Sequence, residues 1–143
     1  MNNYLIDVNV LIALYDKKHE YHNLSIQWVS SINFAIVICP IVENGLLRIC
    51  SHPNYPNGAA TFSEILTFLE ELRALKSVVF CTDDFSFSKI RVSKNKIDIP
   101  SKHITDIYLL NLARQLKYFF VTLDRKIPKK FINDFENVYV SLL

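Results

Sequence analysis

Phe34-Ala35-Ile36-Val37-Ile38-Cys39-Pro40 is an apolar, β-branched run stopped by a proline, and residues 41–51 behind it carry helical spacing. A short run with no polar alternation reads as a strand buried on both faces, which is the signature of a parallel sheet. Tyr4-Leu5-Ile6, closed by Asp7, is a second such run. Similar runs occupy residues 77–82, 118–122 and 138–142. Between them lie helical stretches. The clearest carries Phe62, Ile65, Leu66, Leu69 and Leu72 at i, i+3, i+4, i+7, i+10, and residues 59–75 hold no proline or glycine. Another carries Leu109, Leu110, Ala113 and Leu116, starts near Thr105 or Asp106, and has Arg114 and Lys117 near its C-terminal end, where the helix dipole favours cations. Residues 22–32 form a weaker helix, and residues 83–102 read as neither helix nor strand.

Strands alternating with helices predict an α/β domain with a mainly parallel sheet of about five strands between helical layers. The chain's 143 residues, half of them apolar, fit one domain spanning residues 1–143, with a core that needs no staple. Residues 51–58, with Pro53, Pro56 and Asn57-Gly58, read as a loop inside that domain. Only Gly45 and Gly58 are glycines, and neither sits in a phosphate-cradling frame, so dinucleotide and P-loop chemistry are excluded. Cys39, Cys50 and Cys81 are odd in number and set in apolar sequence, the pattern of buried thiols in a reducing compartment. No signal-peptide pattern precedes Tyr4 and no apolar run is long enough to span a bilayer, so a cytoplasmic location with no membrane partner is expected.

The formal net charge is +2, but it is unevenly spread. Residues 1–88 carry 5 basic and 9 acidic side chains, residues 89–130 carry 11 and 3, and the remainder adds two acids. A basic segment of this kind attracts polyanions through phosphate contacts and counterion release. Two of its three acids are Asp106 and Asp124.

In open α/β sheets, ligands collect beyond the carboxyl ends of the strands. Asp7 ends the first strand, Glu43 lies three residues past Pro40, Asp124 lies two past Thr122, and Asp106 opens a helix. Each has a structural reading of its own, as a turn residue or as a favourable acid in a first helical turn. Four acids at one sheet edge would repel one another, and a divalent cation resolves the conflict. Oxygen donors favour Mg²⁺ or Mn²⁺ over zinc, and the four histidines show no zinc spacing, although His103 lies three residues before Asp106. The chemistry that follows is phosphodiester hydrolysis. An aspartyl-phosphate enzyme is a poor fit, because Asn9 stands where a second aspartate belongs.

Four segments together, Asp7-Val8-Asn9-Val10-Leu11-Ile12-Ala13-Leu14, PIVENGLLR over residues 40–48, His103-Ile104-Thr105-Asp106-Ile107-Tyr108-Leu109-Leu110 and Val121-Thr122-Leu123-Asp124-Arg125, resemble the PIN-domain nucleases, specifically VapC-type toxins of toxin-antitoxin pairs. The resemblance runs in order through nearly the whole chain. It implies a three-layer α/β/α fold and a Mg²⁺- or Mn²⁺-dependent endoribonuclease that cuts single-stranded or loop RNA, with transfer RNA among its expected targets. Asp7, Glu43, Asp106 and Asp124 are implied as catalytic, metal-binding acids, Asp124 being the more variable one. Asn9, Thr122 and His103 are implied as supporting residues. His19 and His22 match a histidine-bearing segment of a subset of these toxins. A cognate antitoxin and a homodimer are the implied protein partners. The chain departs from the family at Val8, where many members carry Ser or Thr, and at Ser101-Lys102, where the subset tends to have glycine before the histidine.

Arg48, Arg125, Lys126, Lys129 and Lys130 are the expected holders of flanking RNA phosphates, and Tyr55 or Phe85 the expected stacking aromatics. The competing reading is a PIN-like module that keeps the acidic pocket but binds RNA or protein without turnover.

Overall fold

The computed structural model of the chain describes residues 3–92 and 98–143. Among these residues, five strands form one sheet: β1 (Tyr4–Ile6), β2 (Ile36–Ile38), β3 (Val78–Phe80), β4 (Phe119–Thr122) and β5 (Tyr139–Ser141). Each falls inside an apolar run identified from sequence. Their order is β3-β2-β1-β4-β5 and every pairing is parallel, with Leu5 opposite Val37 on one side and Phe120 on the other.

Among the described residues, six α-helices accompany the sheet: α1 (Val8–Tyr15), α2 (His22–Ser31), α3 (Pro40–Cys50), α4 (Phe62–Arg73), α5 (Ile104–Leu116) and α6 (Lys129–Ile132). The chain steps from β1 to β2 to β3 in one direction, then returns to place β4 on the far side of β1. Right-handed crossovers therefore put the helices between β1 and β3 on one face and α5 on the other. The packing agrees: α1 touches α2 and α3, α3 touches α4, and α5 lies on β4. This makes three layers, as expected. Residues 83–102, ambiguous in sequence, contain only short 3-10 turns at Phe87–Lys89 and Ser101–His103 among the described positions.

Helix α1 has almost no polar face, and Val10, Leu11, Ile12, Ala13 and Leu14 are all buried. A helix apolar on every side belongs in the interior, and each such large side chain contributes roughly 1.5–3 kcal/mol of burial. Helix α4 is amphipathic instead, burying Ile65, Leu69 and Leu72 and opening with a Thr61/Glu64 capping box. Gly45 of α3 faces Val8 of α1 so closely that a Cβ there would lie 2.7 Å from one Val8 methyl and 2.8 Å from the other. The valine that departs from the family pattern thus fills the space the glycine leaves.

Cys39 and Cys50 are buried, Cys81 is half-buried, and all three are free thiols. Among the described residues, no helix is long and apolar enough to cross a membrane.

Candidate active site

The order of the strands reverses between β1 and β4, and ligands of open α/β sheets bind at such a switch point. Asp7 leaves the end of β1 and caps α1: its Oδ1 accepts the Val8 N–H at 2.7 Å. Its Oδ2 accepts the Thr122 hydroxyl at 2.8 Å from the end of β4. Thr122, fully buried, also accepts the Asp124 N–H at 3.0 Å and the Asn9 amide at 3.1 Å. Asn9 closes the frame by accepting the Leu123 N–H at 3.1 Å through Oδ1. Two adjacent strand ends and the first turn of α1 are locked together by one hydroxyl and one amide. Asn9 and Thr122 are the residues anticipated as supports.

Asp106 enters from the first turn of α5, on the opposite face of the sheet. Asp7 is 4 % exposed and Asp106 9 %. Burial, then the charge of Asp106, pushes Asp7 up to about 7. Burial, then the charge of Asp124, pushes Asp106 up to about 6. The N-termini of α1 and α5 both point at this cluster and favour its negative charge, but do not remove the conflict.

His103, Asp106 and Asp124 each offer a ligand atom within 4.8 Å of the others. His103 Nδ1 lies 3.5 Å from Asp106 Oδ2, too long for a strong charge-assisted hydrogen bond. Buried carboxylates that repel one another, beside an imidazole nitrogen, are a donor set suited to a divalent cation. The residues fit the cation that the chemistry calls for.

Glu43 does not join them. It lies on the face of α3 that looks toward α4, in a groove of about 620 Å³ with Leu47, Leu66, Leu69, Glu70 and Arg73. Burial raises its carboxyl and the Arg73 charge lowers it, and none of the three clustered aspartates contributes. The reason is helical register: Ile41, Asn44, Gly45 and Arg48 form the stripe of α3 turned to the aspartates, and Glu43 is off that stripe. Sequence reasoning passed over Asn44. The available signal was Gly45, a glycine inside a helix with no turn to make, which marks the side of closest approach.

The aspartates sit in a groove of about 1110 Å³ whose other walls are α3 and residues 51–56. Of the five cations expected to hold phosphate, Arg48 lines this groove, and Arg125, Lys126, Lys129 and Lys130 do not. The Lys126 N–H bonds Asp124 Oδ1 at 2.7 Å, and the Lys130 ammonium lies over the Phe131 ring. Lys102 and Thr105, not expected from sequence to hold RNA, do line it. Tyr55 lines it as well, whereas Phe85 packs on Tyr108. His22 donates from Nδ1 to the Ala13 carbonyl at 2.7 Å, and His19 accepts the Tyr21 N–H at 3.0 Å. Both fasten the connection from α1 to α2.

The PIN domain family matches residues 4–131. Ribonuclease VapC44 of Mycobacterium tuberculosis is 33 % identical over 126 residues, covering 86 % of this chain and 87 % of the relative. Ribonuclease VapC38 of the same organism is 30 % identical over 121 residues, covering 84 % of each. The crystal structure of M. tuberculosis VapC20, described as a toxin that cleaves the sarcin-ricin loop, superposes with a TM-score of 0.57. It covers 86 % of this chain and 91 % of that one at 9 % identity, a likeness of fold. The sheet order, the aspartates at its switch point and these matches agree, and the chain belongs to the PIN-domain family, alongside its VapC members.

Proposed function

We propose that this protein is a cation-dependent endoribonuclease acting as the toxin of a VapBC-type pair. The observation that carries this reading is the convergence of Asp7, Asp106 and Asp124 at the switch point, with Asp7 and Asp106 raised by burial and by neighbouring charge. The ribonuclease names of relatives matching more than four-fifths of the chain support it. Asp7, Asp106 and Asp124 would hold Mg²⁺ or Mn²⁺, with His103 beside them. Such an ion, once bound, lowers the pKa of water and offsets charge on the phosphate being cut.

The chain's own groups do the rest. Thr122 and Asn9 fix the Asp7 carboxylate so that it does not rotate away when a substrate enters. Arg48 and Lys102 flank the acidic end and would take the phosphates on either side of the cut. An opening of this size beside a sheet edge admits single-stranded or looped RNA, transfer RNA included, better than a duplex, whose shape is recognised from outside. An antitoxin would silence the site by inserting an Arg or Lys among the aspartates, and homodimerisation in the cytoplasm completes the proposal.

Purified protein is incubated with total RNA in Mg²⁺, in chelator, and as the Asp7→Asn variant, and fragment ends are mapped. Discrete ends in Mg²⁺ alone, absent with chelator or in the variant, are expected. Cleavage that persists in Asp7→Asn removes the assignment.

A further inference from the structure

The acidic cluster occupies only one end of the groove, and the wall at the other end is built with care. Asp16 stands just past the last turn of α1, the helix that Asp7 begins, so the two carboxylates are separated by a strut of roughly 12 Å. One Asp16 oxygen, Oδ2, accepts the Tyr55 hydroxyl at 2.5 Å and the Asn57 amide at 2.7 Å. Burial works against the charged form of Asp16, but the Asn57 and Tyr55 bonds, the Lys18 N–H and the charge of His19 together outweigh it and hold the carboxyl below its usual range. Ser51 Oγ ties the start of the loop to the Leu47 carbonyl of α3, and within the loop the Tyr55 N–H bonds the His52 carbonyl. A loop tied down at this density is a fixed surface.

Its chemistry faces the groove. His52 Nδ1 accepts the Asn54 N–H at 3.0 Å, so the ring proton sits on Nε2, which makes no hydrogen bond among the described residues. Tyr55 has committed its hydroxyl to Asp16, and its ring, packed in part against the core, lines the groove. Residues 44–58 contain no acid, and Arg48 precedes the loop by one helical turn on the same wall. A donor imidazole, an aromatic face and a guanidinium are the groups by which proteins hold unstacked RNA bases and their phosphates.

We propose that Arg48 and the 51–56 loop form a nucleotide subsite, in which Arg48 grips a phosphate next to the one cut while His52 and Tyr55 hold the adjoining base, so that this loop selects the RNA sequence. The proposal rests on the reading of the site as one that acts on RNA, and it commits to single-stranded RNA as the occupant.

The test uses Asp7→Asn protein in chelator, which separates binding from cleavage, and fluorescein-labelled single-stranded RNA oligomers, one of mixed sequence and four of a single base each. Arg48→Ala is expected to weaken all of them by about tenfold or more and to flatten the salt dependence by roughly one phosphate contact. His52→Ala is expected to weaken the four single-base RNAs unequally with no change in salt slope. In otherwise wild-type protein, His52→Ala should change the base preference at the mapped fragment ends. Arg48 and His52 are exposed, and unchanged thermal melting of each variant confirms the fold. Equal RNA binding by parent and variants, with identical fragment ends, overturns the subsite and leaves the nuclease standing. RNA binding that depends on Arg48 and His52 in a protein that never cuts overturns the nuclease and leaves the subsite. Variants that lose only inhibition by the antitoxin, with RNA binding intact, assign the wall to the antitoxin and overturn the proposal.

Discussion

Replacing Asp7 by Asn is predicted to stabilise the cation-free protein while abolishing its activity. The folded chain holds a proton on Asp7 until about pH 7, whereas the unfolded chain releases it near the ordinary aspartate value of 3.8. Between those two values the folded state binds more protons, so its stability falls as pH rises through the window. That displacement corresponds to roughly 4 kcal/mol at about pH 8, and to roughly 2 kcal/mol at about pH 5. Asparagine carries no such penalty. It keeps an oxygen for the Val8 N–H but loses the acceptor for the Thr122 hydroxyl, at a cost of about 1 kcal/mol. The net gain expected near pH 8 is about 2–3 kcal/mol, or a rise in melting temperature of roughly 5–10 °C.

The assay is thermal unfolding of both proteins in chelator at about pH 8 and about pH 5, repeated with Mg²⁺. The advantage of the variant should shrink by about 2 kcal/mol at the lower pH. Saturating Mg²⁺ should raise the wild type, by roughly 2.7 kcal/mol at a hundred times its Kd, and leave the variant nearly unmoved. A variant less stable than wild type near pH 8, or a difference independent of pH, refutes the claim that Asp7 is held in electrostatic conflict.

Glu43→Gln is predicted to leave Mn²⁺ affinity and cleavage within about twofold, because its groove is not that of the aspartates; Asp106→Asn should lower affinity by about a hundredfold or more, as titration calorimetry would register. Gly45→Ala should lose up to about 2 kcal/mol in urea unfolding, since overpacking against Val8 outweighs the helix propensity of alanine, and in a Val8→Ala background the same change should become stabilising by up to about 1 kcal/mol. Thr122→Val strands the Asp124 N–H, the Asn9 amide and Asp7 Oδ2 at once and should lose about 2–3 kcal/mol, with Thr122→Ser within about 1 kcal/mol of wild type by the same measurement.

Strand positions were legible because a buried parallel strand has to be apolar on both faces, and runs such as residues 34–39 and 118–122 admit little else. Asp7, Asp106 and Asp124 were legible for a related reason: a strand end or a first helical turn locates a side chain to within a residue or two. The basic residues 125–130 misled because nearness to Asp124 in sequence is not nearness in space. The bond from the Lys126 N–H back to Asp124 turns the chain there, and the cations beyond it leave the groove.

Glu43 and the 51–56 loop show where one-dimensional reasoning stops. Along α3 a side chain's direction turns by about 100° per residue, so a strand end locates the helix without saying which residue on it faces the site. What decides the face is the docking of Gly45 on Val8, a contact between two helices 37 positions apart in sequence. The loop's shape likewise depends on Asp16, 39 residues before Tyr55 and 41 before Asn57. Prolines and an Asn-Gly pair announce a turn, but a turn and a binding wall differ only in what holds them. Asp16 supplies that hold through α1, whose first residue is fastened to Asp7. Loosening Asp16 should therefore change which RNA is chosen before it changes whether RNA is cut, and Asp16→Asn measured by fragment-end mapping is the variant that separates the two.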